Sequence, residues 1–230
     1  MNALYGIDKN VGLDLILHTP GGDLPATQSI VDYLYSFFNG DIRVIVPHTA
    51  MSAGTMIACS SKEIVMAKHS NLGPIDPQIS GMPANEFIDL LEEAKNDINS
   101  NENLNYWNMT LSKYPPTFFG ICSNAILSSK QIMYNWLKRG MLNDCSDDDI
   151  NNTIDYLSDY HRHLQHNDRL SIIDLKSNTK LNIKELESDQ KLQECVLSLY
   201  HCYQIVAGMS SCTKIIENQN LVRFVKNTNN

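Results

Sequence analysis

The chain has 230 residues with an ordinary globular composition, 43% hydrophobic and 19% charged, and a formal net charge of −8. This length suits one domain with a full hydrophobic core. The acidic balance argues against a nucleic-acid partner, because no basic stripe is available to neutralise phosphates. No apolar run approaches the ~20 residues that a membrane span requires.

The cysteines and the N-terminal residues bear on the cellular compartment. Six cysteines are scattered without a CxxC pair, and residues 1–10 lack the charged-then-apolar layout of a secretion signal. These features indicate a reduced, cytoplasmic protein. No stretch is typical of a dinucleotide or pyridoxal site, so we expect no cofactor.

The first third of the chain alternates strand and helix patterns. Residues 13–17 form an apolar run that stops abruptly at HTPGG, which predicts a buried strand. Residues 23–40 have helical spacing, with Asp23 as a cap and Asn39-Gly40 as an end. A second strand at 41–47, a helix beginning at Ser52 and a third strand in KEIVM follow. This alternation predicts an α/β fold with right-handed crossovers and a mostly parallel sheet.

The pattern changes near residue 84, after a loop rich in turn-forming residues. Most later segments read as amphipathic helices. Residues 168–186 predict a short helix plus a turn, and residues 220–230 an edge strand. We therefore expect a βαβ core over residues 1–83, and over 84–230 a helical remainder of the same domain that serves oligomerisation and capping.

Ser52, in PHTAMSAGT, admits two interpretations. As a helix N-cap its hydroxyl would bond a backbone N–H of the first turn. As a nucleophile it would attack a carbonyl while backbone N–H groups hold the oxyanion. Ala53 could supply one such donor, and the glycine turn Gly21-Gly22 the other. Both segments follow buried strands, and the carboxyl ends of parallel strands are where such sheets place their sites. We favour the nucleophile.

Four segments, LILHTPGG, VPHTAMSAGTMIA, EIVMAKHSNLGPIDPQ and WLKRGML, resemble the serine dehydrogenase proteinase family. This family is related to signal peptide peptidase A and belongs to the Clp protease/crotonase-like superfamily. The resemblance implies a crotonase-like fold of stacked βαβ units, a nucleophile at Ser52, an oxyanion hole at Gly21, Gly22 and Ala53, and assembly into rings or stacks. Relatives usually carry a further strand before this point, so we expect a trimmed or naturally minimal chain.

The general base is open at this stage. In Clp proteases a histidine follows the serine by about one βα unit, but here that place is taken by GPIDPQ, which contains Asp76. The resemblance to signal peptide peptidases instead implies a lysine. Lys95 is the nearest candidate at comparable separation, with Lys130 and Lys138 as alternatives.

Two histidines offer another route to a base. His18 and His48 each end a predicted strand and could lie near Ser52. Asp76 could orient one of them or brace its own loop as an Asx-turn.

Two further expectations concern metals and assembly. The HRHLQH segment (His161, His163 and His166) lacks a carboxylate at standard ligand spacing, so we expect no metal. Large apolar residues after residue 84 exceed what a thin domain would bury, which predicts a homo-oligomer. These residues are Phe87, Trp107, Phe118, Phe119 and Trp136.

Taken together, these patterns predict a serine peptidase that acts on a peptide or protein substrate through Ser52 and a lysine or histidine base. The alternative is a catalytically weak crotonase-fold module that assembles and binds partners. An acyl-CoA enzyme of the same superfamily is disfavoured, because the phosphates of that ligand would need a basic mouth.

Overall fold

Strands and helices alternate through the first 66 residues of the computed structural model, which describes residues 2–99, 103–163 and 168–228. The strands are β1 (Leu13–Ile16), β2 (Ile42–Val46), β3 (Thr49–Ala50), β4 (Glu63–Met66), β5 (Asn71–Leu72), β6 (Gln78–Ile79), β7 (Met82–Pro83), β8 (Leu170–Ser171), β9 (Ile183–Glu185), β10 (Cys212–Glu217) and β11 (Arg223–Asn227). The helices are α1 (Leu24–Phe38), α2 (Ala53–Cys59), α3 (Ala84–Asn99), α4 (Leu104–Leu111), α5 (Phe118–Arg139), α6 (Asp147–Ser158), α7 (Tyr160–His163), α8 (Ile172–Asn178) and α9 (Gln190–Met209). Short 3₁₀ turns occupy Asn2–Leu4, Lys9–Val11 and Leu186–Ser188.

The core is a parallel sheet of four strands in the order β1-β2-β4-β9. Helix α1 begins where expected, since the Asp23 side chain accepts a hydrogen bond from the Ala26 N–H. Its apolar face, including Val31 and Phe38, is buried in the same cluster as β2 and β4. The α/β class and the parallel sheet are therefore confirmed, while the stacking of βαβ units remains a prediction.

The C-terminal part contains strands that the sequence patterns did not indicate. Residues 183–185 form β9, the fourth strand of the sheet, within the segment predicted as a short helix plus a turn. The short helix is present as α8, but a three-residue edge strand is too short to show a period. The predicted final strand is β11, and it pairs with β10 in an antiparallel hairpin.

The aromatic residues that we expected at an interface lie inside the chain instead. Phe87, Trp107 and Trp136 are buried, and Phe118 and Phe119 are half-buried. Phe87 packs edge-on against Phe118, with ring centroids 4.7 Å apart, where α3 meets α5. We expected a thin domain that could not bury these aromatic side chains, but the helices bury most of their surface against one another. These residues therefore give no support to an oligomer.

Ionisable side chains line the carboxyl edge of the parallel sheet, one from each strand end. His18, His48 and His69 follow β1, β2 and β4, and Glu187 follows β9, whose neighbour is β4. The His18 and His48 rings stack with centroids 5.7 Å apart, and His48 and His69 are 6.3 Å apart. We call His18, His48 and His69 the histidine row. Tyr200 of α9 packs against it, 5.1 Å from His18.

Among the described residues, no helix combines the length and the apolar character that crossing a bilayer demands.

The histidine row predicts a pH dependence of stability. Burial, and secondarily the neighbouring His48, lowers the pKa of His18 below its ordinary 6.5. As pH falls below 6.5 the unfolded chain therefore binds a proton on His18 before the folded chain does, so stability decreases. The decrease should end once pH passes below the lowered folded-state pKa. Urea unfolding midpoints at about pH 7.5 and 5.5 measure it, in a window above the ordinary carboxyl range.

The control is a pair of variants in the same region. His18→Asn should reduce the pH-dependent loss of stability, whereas His201→Asn, an exposed position on α9, should preserve it. An equal pH dependence in the wild-type protein and His18→Asn would contradict the assignment.

Candidate active site

Ser52 occupies a strained turn between β3 and α2. Its φ and ψ are 50° and −115°, a conformation that residues with a β carbon rarely adopt. Helix α2 begins at the next residue, yet the Ser52 hydroxyl makes no capping hydrogen bond. The Ser52 side chain therefore does not act as the N-cap that the sequence allowed. Its hydroxyl is not occupied by a capping bond that would compete with a nucleophilic role.

The glycine turn lies against Ser52, as the two strand ends predicted. A β carbon built on Gly21 would lie 3.1 Å from Ser52 Cβ and 3.2 Å from the Met51 carbonyl oxygen. Gly21 also has φ = 119°, in the region that favours glycine. Both the space and the backbone conformation therefore require glycine at position 21.

Two backbone donors beside Ser52 are free. Within the part of the chain that the structure describes, neither the Gly22 nor the Ala53 N–H donates a hydrogen bond. The Gly21 N–H, by contrast, donates to Thr19 Oγ1 over 3.1 Å. Of the three residues predicted for an oxyanion hole, Gly22 and Ala53 thus have an N–H that can donate to a substrate. Gly21 does not, and its role is to let the two turns approach each other, because it has no side chain.

Thr19 and Thr55 hold the two turns in place. The Thr19 N–H donates to the Thr49 carbonyl, and the Met51 N–H donates back to the Thr19 carbonyl, each over 3.1 Å. The buried Thr55 hydroxyl lies 2.8 Å from the Gly73 carbonyl oxygen and accepts the Gly73 N–H over 2.9 Å. The serine turn is thereby tied to the glycine turn on one side and to the loop after β5 on the other.

Asp76, which stands where Clp proteases have their histidine, is only 2% exposed. One of its carboxylate oxygens accepts a hydrogen bond from Gln78 Nε2 over 2.8 Å. It also contributes to the field at Tyr160, whose pKa rises to about 12 mainly through the hydrogen bond from its hydroxyl to Glu86. Asp76 therefore interacts with Gln78 of its own loop and lies near Tyr160, the first residue of α7.

The candidate lysines are solvent-exposed and ion-paired. Lys95 is 55% exposed and lies 2.7 Å from Glu92, and Lys130 lies 2.7 Å from Asp155 of α6. Lys138 pairs with Asp147, and that hydrogen bond raises the pKa of Lys138 above its ordinary value. A catalytic lysine needs an amine that is free to reach the serine hydroxyl, whereas each of these amines is engaged with a carboxylate on the helical surface.

The histidines have a different environment. His18 Nδ1 lies 3.4 Å from Thr49 Oγ1, on the segment that leads into the serine turn. His48 is half-buried, and among the described residues its buried Nδ1 has no hydrogen-bond partner. The row shares the carboxyl edge of the sheet with Gly21 and Ser52.

The sequence patterns missed several residues of this region. Thr19 was visible only as part of HTPGG, and His69 as a third histidine after a third strand. The contact of Tyr200 with His18 could not be predicted, because no pattern in α9 indicates which strand end the helix packs against. A buried hydroxyl such as Thr55 in an apolar run is the one signal that could have revealed the tie to Gly73.

No metal centre is found where the chain is described, since no three His, Cys, Asp or Glu side chains there are arranged to hold an ion. The HRHLQH segment falls partly outside the described residues, because His166 is not among them and no side-chain placement is described for His161 or His163.

Comparison with known proteins places these features in a family. The chain is 33% identical over 138 residues to the uncharacterized protein MJ0137 of Methanocaldococcus jannaschii, covering 60% of this chain and 44% of that protein. It is 41% identical over 89 residues to the uncharacterized protein MJ1495 of the same organism, covering 39% of this chain and 30% of that protein. The chain thus spans less than half the length of either relative. No solved structure matches it.

The sequence model of the ClpP-like SDH-type serine proteinases matches residues 1–184, which include both turns and strands β1, β2 and β4 of the parallel sheet. The protein therefore belongs to the family of ClpP-like, SDH-type serine proteinases.

Proposed function

We propose that this protein is a serine peptidase in which Ser52 attacks the carbonyl carbon of a peptide bond. The observation that carries the proposal is the contact between the Gly21 turn and a Ser52 whose hydroxyl caps nothing. Nucleophilic serines in other hydrolases also occupy strained turns between a strand and a helix. Membership of a serine proteinase family supports the same chemistry.

The backbone supplies the stabilisation of the oxyanion. When the serine oxygen bonds to the carbonyl carbon, negative charge moves to the carbonyl oxygen. The N–H groups of Gly22 and Ala53 are free to donate to that oxygen. Removing one such donor costs on the order of 10²–10³ in rate in known hydrolases. Collapse of the intermediate releases the amine, and water then hydrolyses the acyl-enzyme.

We assign the general base to His48. A base must take the hydroxyl proton of Ser52, which requires a lone pair that is not already occupied. His48 has a ring nitrogen without a hydrogen-bond partner among the described residues, and it lies on the segment between β2 and the serine turn. Lys95, which the resemblance favoured, is an exposed cation paired with Glu92.

The alternative function, a catalytically weak assembly module, also has an observation in its favour. Within the described residues, no titratable side chain is hydrogen-bonded to the Ser52 hydroxyl. Catalytic hydrogen bonds often form only when substrate is bound. The missing hydrogen bond is therefore weaker evidence for the module than the strained serine turn is for the peptidase.

Ser52→Ala should abolish peptide hydrolysis, a loss on the order of 10⁶ in rate, and should also abolish labelling by a fluorophosphonate probe. Stability should change by less than ~0.5 kcal/mol, because no capping bond is lost. Casein digestion, probe labelling and urea unfolding measure these three properties.

Ser146→Ala is the matched control for this serine. Ser146 caps α6 by accepting a hydrogen bond from the Asp149 N–H, so its removal should cost about 1 kcal/mol. Probe labelling should be unaffected. Full activity in Ser52→Ala would rule out the nucleophile, and a wild-type protein that neither cleaves peptides nor takes up the probe would support the module.

The base can be identified by comparing two variants. We expect His48→Gln to lower the rate of peptide hydrolysis by two to four decades, roughly the contribution of general base catalysis. Lys95→Ala should keep the rate within a few-fold, since a solvated helix lysine contributes little. The reverse result would assign the base to Lys95.

The glycine turn provides a pair of adjacent substitutions. Gly21→Ala should cost more than ~1 kcal/mol of stability, because it combines φ = 119° with a 3.1 Å contact to Ser52. Gly22→Ala should leave stability within about 0.5 kcal/mol, since a β carbon there meets nothing within 4 Å. Urea unfolding of both variants measures the difference, and equal stabilities would contradict the close packing of the turn on Ser52.

A further inference from the structure

Helix α9 carries an exposed stripe with the spacing of a helix–helix seam. Its members recur every four or three residues on one face: Cys195, Leu199, Cys202, Val206 and Met209. Leu199, Val206 and Met209 are 43%, 50% and 84% exposed, and both cysteines are exposed. Apolar residues repeating at intervals of four and three are those that pack knobs into holes between paired helices. We call these five residues the α9 stripe.

The stripe is distinct from the face by which α9 docks on its own chain. Leu192 and Val196 pack against Ile45 and Val65 of the sheet, and Tyr200 packs on the histidine row. These residues lie on a neighbouring face of the helix. Packing among the residues that the structure describes therefore leaves the α9 stripe exposed.

The sequence segment that carries the stripe is uncharged. Residues 195–213 contain no Asp, Glu, Lys or Arg, although the chain as a whole has a net charge of −8. Two copies of so acidic a protein repel each other over most surfaces, but the stripes can meet without bringing carboxylates together. The charge distribution therefore favours a second copy of this chain as the partner.

A groove beside the stripe provides the matching concave surface. It lies between α9 and the β10–β11 hairpin and has a volume of about 240 Å³. Apolar Val206, Ile215 and Val225 line it, and Glu217 and Arg223 lie at its wall. Leu199, about two turns earlier on α9, is a projecting apolar side chain of suitable size. A knob and a hole on the same helix are what a self-complementary interface needs.

We propose that α9 pairs with α9 of a second copy, antiparallel and centred on Cys202. In this arrangement residue 206 faces residue 198 of the other helix, so Leu199 of each copy enters the groove beside Val206 of the other. The helix dipoles oppose, and the two hairpins lie at opposite ends of the seam. The proposal does not rest on peptidase activity.

Cysteine cross-linking tests the register. A variant with Cys145, Cys195 and Cys212 changed to serine keeps Cys202 as an exposed thiol, while Cys59 and Cys122 are buried. Brief oxidation with copper–phenanthroline should convert most of it to a covalent dimer of twice the 26.0 kDa chain mass. The matched variant that keeps Cys195 instead of Cys202 should not cross-link, because antiparallel helices place the two Cys195 residues about 21 Å apart.

Light scattering on the unmodified protein at about 10 µM should give a multiple of the chain mass. Val206→Glu should weaken the assembly at least about a hundredfold, because the interface would bury a second carboxylate in the groove that already contains Glu217. Leu127→Glu, at an apolar position on α5 that is 66% exposed, should leave the mass unchanged. Circular dichroism verifies that both variants fold.

A monomeric wild-type protein would overturn the proposal and assign the stripe to a different partner. Cross-linking through Cys195 as efficient as through Cys202 would overturn the antiparallel arrangement. An assembly that forms without any Cys202 cross-link would overturn the proposed seam, and this test holds even if Val206→Glu fails to fold.

Discussion

The candidate site depends on one close contact, between the methyl group of Thr19 and the backbone at Gly54. A β carbon at position 54 would lie 2.4 Å from Thr19 Cγ2, so any larger residue there would push the two segments apart. Thr19 is also bonded to the backbone of Thr49 and Met51, and its hydroxyl accepts the Gly21 N–H. Because one residue contacts both turns, the glycine turn stays against the serine turn.

This constraint explains how the protein tolerates the backbone of Ser52. A residue held in a sparsely populated conformation costs about 1–3 kcal/mol, and it persists only where its surroundings determine it. Helix α2 is buried over nearly its whole length, and Thr55 fixes its first turn to Gly73. The buried residues of α2 and the hydrogen bond between Thr55 and Gly73 therefore hold the Ser52 backbone in this conformation.

The candidate lysines and the candidate histidines lie in different electrostatic environments. Lys95, Lys130 and Lys138 all form ion pairs on the helical surface. The histidines instead follow neighbouring strands at the edge of the sheet, where the Tyr200 ring packs against His18 and His48. A chain with more acidic than basic residues pairs its lysines readily. Among the described residues, the buried Nδ1 of His48 is then the candidate base nitrogen without a hydrogen-bond partner.

Several features could be predicted from the sequence because they depend on neighbours along the chain. The apolar runs at β1, β2 and β4, the Asp23 cap, and the glycine and serine turns at strand ends are all local. The meeting of Gly21 with Ser52 also followed, since parallel strands bring their carboxyl ends to one edge. Local patterns and the chirality of βαβ crossovers determine this much.

Only the tertiary structure decided the remainder. The sequence could not show that β9 would join the sheet, that Phe87 and Trp136 would be buried, or that Lys95 would pair with Glu92. Nor could it show that Tyr200 would cover His18 while Leu199, one residue before it, remained exposed. Each outcome depends on which surfaces meet across long separations in the chain, and burial at such contacts is not encoded in the periodicity of either segment alone.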